Sequence, residues 1–352
     1  MPSKGLGPKK PQIARLVALS LAAILAAAIA GWSLLWFAAS RKTDALLTAW
    51  MAHEAEAGRS WDCPERHIGG YPFDIEISCA RLLFQGALPD ATFTGSLGGF
   101  HAIATVFQPG RVIARMDSPF VGKTSDGALD FTLRWDNLNL EFEGKPEAPT
   151  RLSLGVERIA LQGVIDGWDA RGHAEGLQAA LTPIQGRADA AIDFQINLNN
   201  ASAPAIDNLL ALKAPFSVAL SGIMTQASFS NAGKLQDRIE QWRQAGGQID
   251  LRAARLTSGE AKLDARGAVD LDYAHRIHGK LDAAITGFNP VLSRLGVDPR
   301  LLAAGSLLTG LLGNSTSNGA KDSGAVRLPL KIADGWLSVG PIRTPVRLSP
   351  LY

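Results

Sequence analysis

The chain is poor in the residues that build metal and redox sites. It has 2 cysteines and 6 histidines in 352 residues, and His53, His67, His101 and His173 are scattered without cysteine or acidic companions at ligand spacing. His275 and His278 stand at a separation that serves a helix, but the alternation around them reads as strand or turn, where they face opposite ways. No metal and no cofactor are expected. Charge of one sign is lacking as well: a formal net charge of +2 with 19% charged residues offers no basic face for nucleic acid. Catalytic motifs are missing in the same way. No G-x-S-x-G elbow occurs, and the nearest phosphate-loop lookalike, DSPFVGKT over residues 117–124, starts on Asp117 where a glycine must turn its amide toward phosphate. Asp270 and Asp272 share one strand face as solvated carboxylates do and favour no glycosidase. The chain is expected not to be an enzyme.

What the chain has in quantity is apolar surface and glycine, at 46% and 36 residues, often in short alternating runs bounded by Gly, Asp or Asn. One run is different. Residues 16–40 carry no charge, and about 20 such residues suffice to cross a bilayer core as a helix. Lys4, Lys9, Lys10 and Arg15 precede the run without an acid among them, which keeps the amino end in the cytoplasm. Trp32 and Trp36 fall toward the outer end, at headgroup level. A cleaved signal peptide competes, because Ala28-Ile29-Ala30 has the small-x-small form, but the apolar run continues well past it. In both readings everything after about residue 41 has left the cytoplasm.

In an oxidising compartment Cys63 and Cys79 are read as a disulfide, and the alternative is two unpaired buried thiols. The bridge would pin the post-membrane helix to the first strand. That helix is expected over 41–62, with Leu46, Leu47, Trp50 and Met51 at helical spacing and Gly58 near its end. From Tyr71 the period becomes two, with Phe73, Ile75 and Ile77 on one face. Leu129, Phe131, Leu133 and Trp135 alternate likewise, and Asp136-Asn137 reads as the turn of a hairpin into Leu138, Leu140 and Phe142. The polar stretch 143–150 is the candidate boundary between two halves of a domain over 63–352. Leu235, Ile239 and Trp242 mark a surface helix, with Asn231 as its N-cap and Gly246 past its end. Two further helices are expected over 289–312, then a flexible linker over 313–324 and a hairpin around Asp334-Gly335. The fold class is β-rich (α+β): a transmembrane helix, then a large curved antiparallel sheet of hairpins with a few packed helices.

The anchor, the RKTDALLTAW helix, the Cys-bounded IGGYPFDIEISC block and the closing VRLPLKIADGWLSVGPI hairpin resemble an uncharacterised bacterial family, domain of unknown function 2125, found mainly in alphaproteobacteria. The resemblance covers nearly the whole chain. It implies compartment and architecture and brings no catalytic residue. A looser pattern is similar to AsmA-like envelope proteins, which are implicated in lipid traffic and outer-membrane assembly. Together these readings give a single-pass protein of the bacterial inner membrane with its bulk in the periplasm. Its expected work is lipid handling or envelope maintenance through an apolar β-groove. Phe73, Ile75, Ile77, Leu129, Phe131 and Leu133 would line that groove, with Leu301, Leu308 and Leu311 from the later helix. The expected partners are the inner membrane and a phospholipid or another envelope lipid. The alternatives are an anchored scaffold with a closed core, recruiting envelope proteins by strand addition, and an envelope hydrolase.

Overall fold

The computed structural model describes residues 10–88, 91–145, 148–209, 211–227, 235–287 and 326–352. It opens with one unbroken helix, α1 (Lys10–Glu56). Its only proline, Pro11, sits in the first turn, where a missing N–H is harmless. At 1.5 Å per residue its 47 residues reach about 70 Å, more than twice the ~30 Å core of a bilayer. The helix is long and apolar enough to cross a membrane, and its most apolar window is uncovered by the rest of the protein. Gly58 stops it in the left-handed region, at φ +78°. The stalk expected over 41–62 is therefore helical only to Glu56, because residues 59–62 pair as a strand instead.

Among the described residues the rest is a 20-stranded antiparallel sheet, and the helices number three, α1 included. In chain order its first strands are β1 (Arg59–Asp62), β2 (His67–Gly69), β3 (Asp74–Cys79), β4 (Leu82–Ala87), β5 (Thr92–Leu97) and β6 (Phe100–Thr105). Then come β7 (Arg111–Met116), β8 (Phe120–Thr124), β9 (Leu129–Arg134), β10 (Asn137–Lys145), β11 (Ala148–Ile165), β12 (Trp168–Pro183) and β13 (Ile192–Ala201). Helix α2 (Pro204–Leu209) leads to β14 (Phe216–Met224), and α3 (Leu235–Gln244) leads to β15 (Ile249–Ser258), β16 (Ala261–Leu271) and β17 (Ile277–Thr286). The chain closes with β18 (Val326–Ala333), β19 (Trp336–Val339) and β20 (Ile342–Arg347).

The pairing makes this a meander of long strands, several of which are bent in the middle. β3 pairs with β6 while β4 pairs with β5, so residues 74–87 act as one strand against 92–105. The same holds for the next strands: β5 lies on β8 and β6 on β7, then β8 on β9 and β7 on β10. β11 receives both halves, its first part on β10 and its second on β9. From β11 to β20 each strand pairs with the next.

The bends lie side by side and form a crease. It crosses Ala80-Arg81, Gly98-Gly99, residues 117–119 and Trp135-Asp136, then Arg158 in β11, at φ +47°. At four of the five bends the alternation slips by one residue, as a β-bulge does, the exception being 117–119 between inward Met116 and Phe120: Ile77 and Cys79 are followed by Leu82, and Val156 by Ile159. The slip keeps apolar side chains inside although the strand has turned. Leu97, Trp135 and Val156 are buried there, with Leu82, Phe120 and Leu133 from one arm and Phe100, Met116 and Leu138 from the other packed against them. Trp135 holds the corner, its indole Nε1 donating to the Met116 carbonyl at 2.8 Å and its amide to Ser118 Oγ at 3.2 Å. A side chain at Gly98 would meet the Asp117 and Ser118 carbonyl oxygens at 2.8 and 2.9 Å, so the neighbouring strand can come this close only to glycine.

Two expectations change here. Asp136-Asn137 is a corner within one long strand and not a hairpin turn, since β9 and β10 pair with other strands and not with each other. The stretch 143–150 does not divide the sheet: the β10–β11 ladder runs on to Lys145 and Ala148.

Toward the carboxyl end the sequence reads more directly. Asp334 and Gly335, at φ +54° and +76°, make the two-residue turn of the β18–β19 hairpin. Gly246 closes α3 as expected, at φ +74°, and Trp242 bonds the Thr225 carbonyl at 2.7 Å. Asn231, the two helices expected over 289–312 with Leu301, Leu308 and Leu311, and the linker over 313–324 lie outside the described residues.

Candidate functional site

The register of the strands places apolar residues in rows that cross the sheet. Ile77 stands beside Ala102, then Ala114, Leu140, Leu154 and Ala179. The row continues through Ile196, Leu220, Ala254, Ala265, Ala283 and Leu328 without a polar residue. A second row starts at Ile75 and passes Val112, Phe142, Leu181 and Phe194 to reach Leu330 and Val339, broken only by the glycines at 222 and 267. Because side chains alternate across a sheet, the intervening rows face the other way. They are mostly polar: Ser78, His101, Arg115 and Asn139 are cross-strand neighbours, as are Arg255 and Asp264, although Ile103 and Ile113 pair on the row between the two apolar ones.

The apolar face is buried at its two ends and unevenly covered in its middle, where Val156, Ile192 and Phe216 are buried as well. Ala102 and Ala114 at one end and Ala265, Ala283, Leu328 and Val339 at the other are buried. Leu140, Leu154, Ile196 and Leu220 between them are only half-buried. Concavities of about 430 and 480 Å³ lie on the other face. The second of these holds Arg252, Arg255, Arg266 and Arg327 beside Asp264 and Asp282, and Arg255 is paired with Asp264 and Arg252 with Asp193.

The residues expected to line a groove divide in three. Ile75 and Ile77 fall on the apolar rows of the far arm, the half made of β2, β3, β6, β7 and β10, the near arm being β1, β4, β5, β8 and β9. Leu129, Phe131 and Leu133 lie on β9 in the near arm, where Leu133 joins the crease cluster and the Phe131 ring meets Phe120 at 5.9 Å. Phe73 belongs to neither. The strand begins at Asp74, whose amide donates to the Gly70 carbonyl, so Tyr71, Pro72 and Phe73 form the turn of the β2–β3 hairpin. The Phe73 ring, half-exposed, rests against Trp32 and Phe107. The half-buried residues of the later strands were missed because no short alternating run points to a face shared across so many strands.

The sheet is fixed to the helix at several levels. Trp32 Nε1 donates to the Pro72 carbonyl at 2.9 Å, and Trp36 Nε1 to the Asp74 carbonyl at 2.8 Å. Higher up, Arg66 pairs with Asp44 and Arg59 with Glu54. Trp50 meets Trp61, and Trp61 meets Phe84, so an aromatic path leads from the helix onto the near arm.

Cys63 and Cys79 are bonded, with Cα atoms 5.4 Å apart. The bridge does not join helix to strand as expected. Cys63 follows β1 of the near arm and Cys79 ends β3 of the far arm, so the bond ties the two arms together at the edge of the crease. A separation of 16 residues corresponds to about 3 kcal/mol of chain-entropy stabilisation. Replacing both cysteines by serine is expected to lower unfolding stability by about that amount in a denaturant titration; a loss below about 1 kcal/mol would show that the arms hold together without it.

Ionisable groups keep away from the apolar rows. Bonding to Arg243 holds the Glu240 carboxyl well below the usual range, with Tyr352 as a second donor, and bonding to Arg59 lowers Glu54. His275 stacks on Tyr352 at 4.4 Å, and His278 Nδ1 lies 2.9 Å from Asp270. Among the described residues no group of three or more His, Cys, Asp and Glu is placed to hold a metal.

No curated protein and no solved structure matches the chain. The profile of the family described as "Uncharacterized protein conserved in bacteria (DUF2125)" matches residues 36–346, and the chain belongs to that family.

Proposed function

We propose that this is a lipid-handling protein of the bacterial cell envelope, anchored in the inner membrane by α1 with its bulk in the periplasm, whose apolar sheet face takes the acyl chains of a phospholipid or another envelope lipid. The observation that carries this reading is the continuity of the rows from β3 to β18 and β19. At about 4.8 Å between strands they extend roughly 55 Å, several times the ~15 Å depth of one leaflet's hydrocarbon. The half-buried stretch of the first row, from β10 to β15, offers an acyl chain a surface to lie on, and each methylene laid on it contributes about 0.8 kcal/mol. In this reading the chain performs no chemistry of its own, and the basic residues before the span keep its amino end in the cytoplasm.

For the alternative of a scaffold that recruits partners by strand addition, one margin of the sheet, β1 and β2, lies against α1 and the other is β20. β20 pairs only with β19 among the described residues, but it carries Pro345, Arg343 and Arg347, the kind of residues that discourage another strand from docking.

A photoreactive benzoylphenylalanine introduced in place of Ile196 and irradiated in intact cells tests the lipid reading. Adducts with lipid are expected by mass spectrometry at 196 and not at Gln195, which is exposed on the polar face. Crosslinks from 196 only to the protein's own chain would mean a closed core and would sink the reading.

A further inference from the structure

Large exposed rings gather where the sheet meets the helix. Phe107, at the tip of the hairpin between β6 and β7, is 69% exposed, and Phe37, Phe73 and Tyr71 are 56%, 52% and 49% exposed. They are in contact with one another through the helix: Trp32 stacks on Phe107 at 6.1 Å, Phe73 meets Phe107 at 5.8 Å, and Phe37 stacks on Tyr71 at 6.4 Å. Ser33 Oγ lies 2.9 Å from the Tyr71 hydroxyl. A tip that needed only water outside it would not be built of phenylalanine, and the residues beside it, Gln108, Pro109 and Gly110, are ordinary turn formers.

The level of this contact on α1 decides what covers it. Trp32 precedes Arg41, the first charged residue after the uncharged run, by more than two turns, about 13.5 Å at 1.5 Å per residue. If the span begins near Leu16, some 20 residues of helix carry it across the core to about the level of Trp36. Phe107 and Phe73 touch the helix at Trp32, about one turn below that level. Aromatic rings with an apolar body are favoured at the boundary between hydrocarbon and headgroups. The neighbouring charges do not oppose this: Asp74 accepts from Thr105 Oγ1 at 2.9 Å, and Arg111 is paired with Glu141.

We propose that the β2–β3 turn and the β6–β7 tip are seated in the headgroup region of the bilayer that α1 crosses, so that the sheet rests on the lipid surface by its aromatic rim. The proposal depends on α1 spanning a membrane and not on what occupies the apolar rows. It also places the first residues of those rows, Ile75 and Ala104, immediately above the lipid, since both follow or precede the seated turns by two or three residues.

The test uses the full-length protein in vesicles of phosphatidylethanolamine and phosphatidylglycerol. Because the native cysteines are bonded to each other, a thiol-directed fluorophore reports only an introduced cysteine. Phe107→Cys and Gln108→Cys carry the probe at the tip, the second leaving every aromatic ring in place. Trp168→Cys carries it on the opposite rim, at the turn between β11 and β12. Lipids bearing a spin label near the headgroup are expected to quench the probe at 107 and 108 at least threefold more than at 168, with emission shifted to the blue. Equal quenching at the three positions would overturn the proposal, as would strong quenching at 168 alone.

Discussion

Leu220→Asp is expected to abolish lipid adducts at position 196 while leaving the protein folded. Leu220 is the cross-strand neighbour of Ile196 and of Ala254, half-buried, and part of none of the three buried clusters. On an open face the aspartate keeps its water, and the loss is limited to part of one leucine's burial, about 1–2 kcal/mol. An acyl chain, however, would have to lie against a charge and would be excluded. If the same residue faced a closed interior, the carboxylate would be buried without a partner and several kcal/mol of stability would go with it. The two cases separate in one pair of measurements, a thermal melt and the adduct yield. A protein that no longer melts cooperatively, or one that keeps its adduct, contradicts the groove.

Trp135→Ala is expected to cost about 3–5 kcal/mol, the range for deleting a large buried aromatic. The side chain is 5% exposed and supplies the donor that fixes the corner of the β9–β10 strand to the carbonyl of Met116 on β7. Its removal leaves both a cavity between the two arms and an unsatisfied carbonyl. Trp168, 79% exposed at a turn, is the matched comparison and should change stability by less than about 0.5 kcal/mol. Chemical denaturation of the two variants measures the difference. A loss below about 1 kcal/mol at Trp135 would mean that the crease is held by the backbone ladder alone.

The alternation of single strands was plain in the residues. Leu129, Phe131 and Leu133 announce β9, and Leu328, Leu330 and Ile332 announce β18, because a half-buried strand writes its period of two into its side chains. The crease was not plain. A one-residue slip in that period looks the same whether the chain reverses or merely bends, and Asp136-Asn137 has the composition of a turn. Only the partners of β9 and β10 distinguish the two, and those partners lie on other strands. The apolar rows were half legible for the same reason. Ile75 and Ile77 could be read from their own strand, but their alignment with Ile196 and Leu220 depends on a register accumulated over many hairpins. The disulfide could be read from the compartment, while its place at the edge of the crease required β1 to be a strand. Phe73 misled because Tyr71-Pro72-Phe73 alternates into Ile75 without a break in pattern, although the backbone turns there.

The continuity of α1 has a mechanical result. A helix without a hinge, bonded through Trp32 and Trp36 to the first hairpin and through Arg59 and Arg66 farther along, transmits any tilt of its membrane half to the sheet. The sheet therefore follows the helix as a rigid post of fixed height and heading. Whatever it meets has to arrive along the membrane plane, within the sweep of one rotating blade.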